Sequence, residues 1–464
     1  MKNKKNINRK DFFKVLGGAA AASAALAYGC KPGNQPGPME RARSLADISP
    51  EKMEYRTNPH TGDNVSLLGY GCMRLPMHQI SDTEEEIDQD TWNELVDAAI
   101  EKGVNYFDTS PAYGRGLSER ATGIALSRHP RNKYFVATKL SNFRPETFSR
   151  EASIAMYHNS FKELQVDYID YYLLHAVGLG GMQSLHSRYL DNGILDFLLK
   201  EREAGRIRNL GWSFHGDVRV FDQLLAMDIK WDFVQIQMNY VDWEHASGRN
   251  VNAEYLYTEL AKRNIPAVVM EPLLGGRLAK VPAFIAGKLK QQRPEASIAS
   301  WAFRYAGSPS GILTVLSGMT YKEHLIDNLH TYTPLIPVTD KEKELLEEVA
   351  RMFLQYPLVS CTECAYCMPC PYGIDIPAVF AHYNRCINEG NYPQSKQDEN
   401  YKKARRAFLI GYDRSVPRLR QASHCIHCRK CEPLCPQRIH IANEMDRINQ
   451  FVEQLKQGTL PEKV

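Results

Sequence analysis

Val104-Asn105-Tyr106-Phe107-Asp108-Thr109-Ser110-Pro111-Ala112-Tyr113 is an apolar run that ends on an acid and is followed by a proline turn. Aromatic and β-branched residues bounded by turn formers read as a strand and its exit loop. The same figure recurs on either side. Candidate strands are 66–71, 104–108, 134–139, 168–174, 207–212, 233–237, 267–271 and 313–316. Amphipathic stretches such as 91–102 and 188–203 lie between them. Thr91-Trp92-Asn93-Glu94 puts an acid in a first helical turn, as helix starts favour. Eight β–α pairs predict an α/β fold, a (β/α)8 TIM barrel. The other arrangement for such alternation is a doubly wound open sheet. That fold usually carries a Gly-rich phosphate loop after its first strand. Gly69-Tyr70-Gly71-Cys72-Met73 is not that fingerprint.

Three consecutive candidate strands end on ionisable groups: Asp108, Lys139 and His175, with Tyr113 in the loop after Asp108. In a parallel barrel those ends share one face, where active sites are built. Tyrosine, with a pKa near about 10, is a poor acid at neutral pH. A neighbouring ammonium favours the phenolate, so Lys139 is expected to bring the Tyr113 pKa down. Asp108 would hold Lys139 charged and in place. His175 would hydrogen-bond a carbonyl oxygen, and Tyr113 would protonate it as hydride reaches carbon. Taken singly, each residue reads as well as a strand cap or a surface ion pair. Four on adjacent strands read as a site.

Asn105-Tyr106-Phe107-Asp108-Thr109-Ser110-Pro111-Ala112-Tyr113-Gly114, followed by Ser118-Glu119, closely resembles the aldo/keto reductase signature. Ala137-Thr138-Lys139 and Leu173-Leu174-His175 resemble that family's next two motifs. The resemblance implies a carbonyl reductase using NADPH or NADH, with Asp108, Tyr113, Lys139 and His175 as its tetrad. It also implies cofactor contacts at Ser213 and Gln237 for the carboxamide, Leu273 and Gly275 for the pyrophosphate, and Ser317, Gly318 and Asn328 for the adenosine end. The chain departs from the family at Phe214, where an asparagine is usual, and at Met270, where a tyrosine often stacks on the nicotinamide. Tyr321 stands where an arginine often grips the 2′-phosphate.

Nine of the 11 cysteines lie from Cys361 onward, which marks a domain boundary near 355–360. They include two runs, Cys361-x2-Cys364-x2-Cys367-x2-Cys370-Pro371 and Cys425-x2-Cys428-x2-Cys431-x3-Cys435-Pro436. The second run is the bacterial ferredoxin pattern, whose fourth cysteine often serves the other cluster. A CxxC pair alone reads equally well as zinc. Eight cysteines in two regular runs predict two 4Fe–4S clusters rather than zinc or disulfides. By the ferredoxin rule, Cys361, Cys364 and Cys367 pair with Cys435, while Cys425, Cys428 and Cys431 pair with Cys370. Cys72 and Cys386 are left as buried thiols. The stretch between the runs looks helical, so the module resembles an α-helical ferredoxin. A barrel with such a module resembles a bacterial iron–sulfur subfamily of aldo/keto reductases.

The first residues are an address. Lys2, Lys4, Lys5, Arg9, Lys10 and Lys14 precede an uncharged stretch, 15–27, too short to span a bilayer. Asn8-Arg9-Lys10-Asp11-Phe12-Phe13 resembles a twin-arginine signal with lysine in the second arginine's place, and Gly29-Cys30 resembles a lipoprotein cleavage point. The expected layout is a leader at 1–30, a linker at 31–55, the barrel at 56–335, a linker helix at 336–360 and the cysteine domain at 361–450. The leader predicts export to the periplasm or a membrane-anchored lipoprotein, with a cytoplasmic protein as the alternative. A net charge of +3 over 464 residues gives no reason to expect a nucleic-acid partner. The expected partners are a small carbonyl or alcohol substrate and a redox partner protein. Membrane contact is expected only through a lipid at Cys30. A second function class is an electron-transfer or interaction protein whose barrel has lost turnover. The intact tetrad favours the enzyme, and Phe214 and Met270 leave room for the alternative.

Overall fold

The computed structural model describes residues 44–81, 85–248 and 250–462, all within one compact unit, Arg43–Val464. The leader, Cys30 and the first part of the linker lie outside the described residues. Eight strands form the barrel: β1 (Leu68–Gly71), β2 (Tyr106–Asp108), β3 (Phe135–Leu140), β4 (Ile169–Val177), β5 (Ile207–Phe214), β6 (Phe233–Gln237), β7 (Ala267–Met270) and β8 (Ile312–Ser317). They close in the order β6-β7-β8-β1-β2-β3-β4-β5, each pair parallel. This is the expected (β/α)8 barrel. Its interior is packed by Tyr106, Ala137, Tyr171, Leu173, Phe233 and Val268. At the N-terminal end, an antiparallel hairpin of Tyr55–Thr57 and Asn64–Ser66 carries the buried Asn58, whose amide donates to Asn209 Oδ1 at 3.1 Å.

The helices are α1 (Gln89–Glu101), α2 (Ser118–Leu126), α3 (Arg150–Leu164), α4 (Ile194–Glu203), α5 (Val218–Ala226), α6 (Ala253–Lys262), α7 (Ala283–Gln292), α8 (Ile298–Gly307) and α9 (Lys322–Tyr332). Packing decides them more than capping does. In α1, Trp92, Leu95, Val96 and Ala99 are buried at i, i+3, i+4 and i+7. Each large one is worth about 1.5–3 kcal/mol, against about 1 kcal/mol for the cap that Asp88 provides to the Thr91 N–H.

Three expectations need correction. The stretch 188–203 is not one helix. A π-helical turn, His186–Leu190, is followed by Gly193 at φ +65°, and α4 starts only there. His175 does not end its strand. β4 runs on to Val177 through a register shift, with Ala176 at φ +51°. The linker is shorter than 31–55, because residues from 44 onward already pack on the barrel through the buried Ile48 and Met53.

Helix α10 (Asp340–Leu354) follows the barrel, opened by a capping box between Thr339 and Glu342. Beyond it lie α11 (Ile376–Asn388), α12 (Tyr401–Ser415) and α13 (Ile441–Gln457). They share a core of Val379, Phe380, Tyr383, Phe408, Met445 and Val452. That core extends to Leu460, past the expected end at 450.

Candidate active site

Register brings the polar strand ends together. Asp108 pairs with Ala137 across β2 and β3, and Lys139 with Leu173 across β3 and β4. Lys139 Nζ donates to Asp108 Oδ1 at 2.5 Å and to the Thr109 carbonyl at 2.8 Å. Burial pushes the Asp108 carboxyl up and the Lys139 ammonium down, and the charge of each opposes the shift in the other. The ammonium lies 4.9 Å from the Tyr113 ring centroid, over the ring face.

His175 is buried in β4, with Nδ1 2.6 Å from Ser141 Oγ and 3.2 Å from Ser110 Oγ. Its carbonyl accepts from Arg188 and from the Tyr189 hydroxyl. Burial, with the nearby charges of Lys139 and Arg188, holds the imidazole well below its usual pKa, so it is neutral. A neutral ring offers one N–H and one acceptor. Its Nε2 meets the hydroxyl of Tyr366 at 3.2 Å. That same hydroxyl is hydrogen-bonded with Tyr113.

The four tetrad residues thus converge as the sequence predicts, but the expected acidification of Tyr113 is reversed. Its phenol is pushed well above the usual value, chiefly by burial and next by Tyr366 and Asp108. The ammonium sits at the ring face and is already spent on Asp108 and Thr109, so it does not offset desolvation.

Tyr366 belongs to the first cysteine loop, and that loop lies on the barrel's C-terminal face. Arg74 donates to the Thr362 carbonyl, and also to the Gly275 carbonyl at 3.3 Å. Gly275, at φ +70°, has its open side 2.4 Å from Thr362 Cα, measured from where a Cβ would be. The expected cofactor residues are engaged within the protein. Gln237 Nε2 donates to Asp242 at 2.6 Å, and Gln237 Oε1 accepts from Gln437 of the module at 3.5 Å. Ser213 Oγ accepts from the Ala176 N–H at 2.8 Å, and Asn328 donates to Ser317 Oγ at 2.9 Å. Leu273 is half-buried beside Gly275, and Gly318 is exposed. With the module docked, Gln437 and Thr362 meet Gln237 and Gly275, two of the residues that the resemblance assigns to a nicotinamide dinucleotide.

The two cysteine runs fold alike. Positive φ occurs at Glu363 and Ala365, on either side of Cys364, and at His427 and Arg429, on either side of Cys428. Such alternation turns successive N–H groups inward as an anion-binding nest. The Glu363 N–H donates to Cys361 Sγ at 3.3 Å, and the His427 N–H likewise donates to Cys425. Cys361, Cys364, Cys367 and Cys435 line one cavity with Phe380 and Ile439. Cys425 and Cys431 have Cys370 as an electrostatic neighbour, and Cys425 also has Cys428. The grouping is therefore three from one run with the last of the other. None of the ten described cysteines is in a disulfide. Cys72 and Cys386 are buried, as expected. Thiolates on one tetrahedral zinc, with bonds of about 2.3 Å, bring their sulfurs to about 3.8 Å. Among the described residues, no three cysteine sulfurs lie within 4.8 Å of one another. A cubane's thiolates bind different irons, and each of the two groupings supplies four thiols, which fits 4Fe–4S clusters.

Sequence reasoning missed Tyr366, Ser110, Ser141, Phe143 and Arg188. Ser141 lies two residues after Lys139, on the same side of the strand exit, which is a usable signal. Nothing in the cysteine spacing says that Tyr366 reaches the barrel.

Comparison with known proteins places these features. The model of the aldo/keto reductase family matches residues 67–351. An L-galactose dehydrogenase of Arabidopsis thaliana is 31% identical over 163 residues, 34% of this chain and 48% of that protein. An aldo-keto reductase of Mycobacterium ulcerans is 29% identical over 279 residues, 58% of this chain and 83% of that protein. The chain thus spans about half the length of the first of these relatives. Among solved structures, an aldo-keto reductase from Bacillus halodurans, in its holo form, superposes with a TM-score of 0.51 at 22% identity, over 64% of this chain and 96% of that one. One from Klebsiella pneumoniae, in complex with NADPH, gives 0.50 at 20% identity, over 67% and 99%. At such identities the likeness is one of fold.

Proposed function

Since the chain belongs to the aldo/keto reductase family, we propose that its barrel interconverts a carbonyl and an alcohol, with Tyr113 handling the proton at oxygen. The observation that carries this reading is convergence. Tyr113 and His175 Nε2 both reach one oxygen atom, at present that of Tyr366. In reduction, a hydride equivalent, two electrons and a proton, reaches carbon while Tyr113 gives its proton to oxygen. The phenolate left behind faces the Lys139 ammonium about 4.9 Å from the ring centre. Asp108 keeps the ammonium in position. His175, neutral and held by Ser141, orients the oxygen.

The family's reductant is NADPH or NADH, and Ser213, Gln237, Leu273, Gly275, Ser317, Gly318 and Asn328 are the residues assigned to it. The docked module touches Gln237 and Gly275, so a nicotinamide that supplied the hydride would bind these residues once the first cysteine loop had moved away. Two 4Fe–4S clusters on Cys361, Cys364, Cys367 and Cys435, and on Cys425, Cys428, Cys431 and Cys370, would supply one-electron transfer to a redox partner protein or hold the module folded. The leader with Arg9-Lys10 and Cys30 supports an exported, lipid-anchored protein.

The test is Tyr113→Phe in the full chain. Reduction of an aldehyde panel by NADPH should vanish, while the iron content stays the same. Full activity in the variant overturns the assignment. No turnover by the unaltered chain, with either NADPH or chemically reduced clusters, would favour the electron-transfer reading.

A further inference from the structure

The side chain of Tyr366 is a module group set among the tetrad. Its position in Cys364-Ala365-Tyr366-Cys367 ties it to the first cysteine loop. Its hydroxyl takes both contacts that the reaction assigns to a substrate oxygen, His175 Nε2 at 3.2 Å and Tyr113. Its ring lies 5.8 Å from Phe143 and 6.2 Å from His175, centre to centre. Phe143 in turn lies 4.8 Å from His175 and 5.1 Å from the Arg188 guanidinium carbon. Aromatic rings therefore flank the place of Tyr366, meeting its ring tilted and edge-on, and that place ends at an oxygen subsite.

A phenol maps onto a ketone atom by atom. The hydroxyl oxygen corresponds to the carbonyl oxygen and the carbon bearing it to the reacting carbon. The two ring neighbours correspond to the two carbons flanking a ketone. An aldehyde carbon, bearing a hydrogen, leaves one of those positions empty.

We propose that Tyr366 occupies the substrate's place, so that the site takes a six-membered cyclic ketone or enone, or the matching ring alcohol, admitted when the first cysteine loop lifts. This rests on the oxidoreductase reading and narrows its substrate class. Flanking aromatic rings favour a planar ring through edge and face contacts. The Tyr113 and His175 groups favour a single oxygen on its rim. The loop is held down by Arg74 on the Thr362 carbonyl and by the Gly275 contact, so entry requires that these part.

The experiment uses the holo chain and three probes: p-cresol, which is the tyrosine side chain itself, 2-cyclohexen-1-one, and open-chain hexanal. In Tyr366→Ala, calorimetry should show p-cresol and cyclohexenone competing for one site, each at least tenfold tighter than in the unaltered chain and than hexanal. Tyr366→Phe, which keeps the ring in that place, should gain nothing for cyclohexenone. Tyr113→Phe added to Tyr366→Ala should weaken cyclohexenone about tenfold, the loss of one hydrogen bond to the ligand. Unchanged iron content shows that the loop still forms. Equal cyclohexenone affinity in the unaltered chain and Tyr366→Ala overturns the proposal, as does hexanal competing equally well. Binding of cyclohexenone without reduction by NADPH or by reduced clusters would sink the oxidoreductase reading alone. Reduction of hexanal with no binding of cyclohexenone would sink the substrate class alone.

Discussion

Two adjacent glycines provide a controlled test of the docked module. Gly275 and Gly276 both have left-handed backbones, φ +70° and +92°. A Cβ at Gly276 meets nothing within 4 Å, whereas one at Gly275 falls 2.4 Å from Thr362 Cα, 2.7 Å from its Cβ and 2.9 Å from its carbonyl carbon. Left-handed strain alone costs about 1–2 kcal/mol for alanine at either position. The Gly275 methyl must also displace backbone that is anchored by Cys361 on one side and Arg74 on the other, and such overpacking adds about 1–3 kcal/mol. Gly275→Ala should therefore cost about 2–5 kcal/mol and Gly276→Ala about 1–2 kcal/mol. Two probes separate the domains. All five tryptophans, Trp92, Trp212, Trp231, Trp243 and Trp301, lie before residue 340, so their fluorescence follows the barrel. The visible absorbance of the proposed clusters would follow the module. In urea unfolding, Gly275→Ala should move the module transition to lower urea than Gly276→Ala does, and move the tryptophan transition little. Equal midpoints for the two variants at both probes would refute the contact between Gly275 and Thr362, and with it the placement of the first loop on the barrel.

Two further outcomes follow from the buried charges and the cysteine grouping. Burial pushes the Glu119 carboxyl up to about 7, although Thr138 donates to it at 2.5 Å. Its unfolded pKa is near about 4.3, so the native state holds a proton that the unfolded chain releases. That stabilisation is complete below about pH 4 and is lost as pH rises through about 7. Glu119→Gln, which imitates the protonated form, should be neutral below about pH 4 and stabilising at pH 8 by on the order of 1–3 kcal/mol in urea melts. The same pH dependence in both proteins would exclude this origin. In the unaltered chain, iron should number about eight per chain. Cys435→Ser with Cys361→Ser should lose no more iron than either alone, whereas Cys435→Ser with Cys428→Ser should lose about twice as much. The reverse pattern would assign each cluster to a single run.

The fold was legible because its determinants are local. Each strand is an apolar run with a turn after it, and Asp108, Lys139 and His175 mark the catalytic end in the sequence itself. The grouping of Cys361, Cys364 and Cys367 with Cys435 is non-local, and it was expected from the resemblance of the second run to the ferredoxin pattern. What escaped is non-local or depends on dielectric. The β4 register shift at Ala176 requires knowledge of how β5 pairs with it. The direction of the Tyr113 shift depends on how much water the module removes, and no motif states that. Tyr366 reads as an ordinary aromatic in a cysteine loop until the loop is seen on the barrel.

The departures from the family pattern gain a physical reason from the same docking. Phe214, where an asparagine is usual, turns into the outer layer, 5.1 Å from Phe221 and 6.2 Å from Trp212, ring to ring. It packs between strand and helix and leaves the barrel mouth without a second carboxamide partner. Gln237 is engaged by Asp242 and Gln437 instead. The same face holds the loop through Arg74 on the Thr362 carbonyl. The cost falls on affinity. A ligand that binds only the open arrangement has its apparent Kd raised by the inverse of the open fraction, so a site open about 1% of the time binds about a hundredfold more weakly than its contacts warrant. The free energy that closes the loop, through Arg74, Gly275 and Tyr366, therefore sets the working affinity for substrate and reductant alike. Loosening the Arg74 or the Gly275 contact should strengthen the binding of both by one common factor.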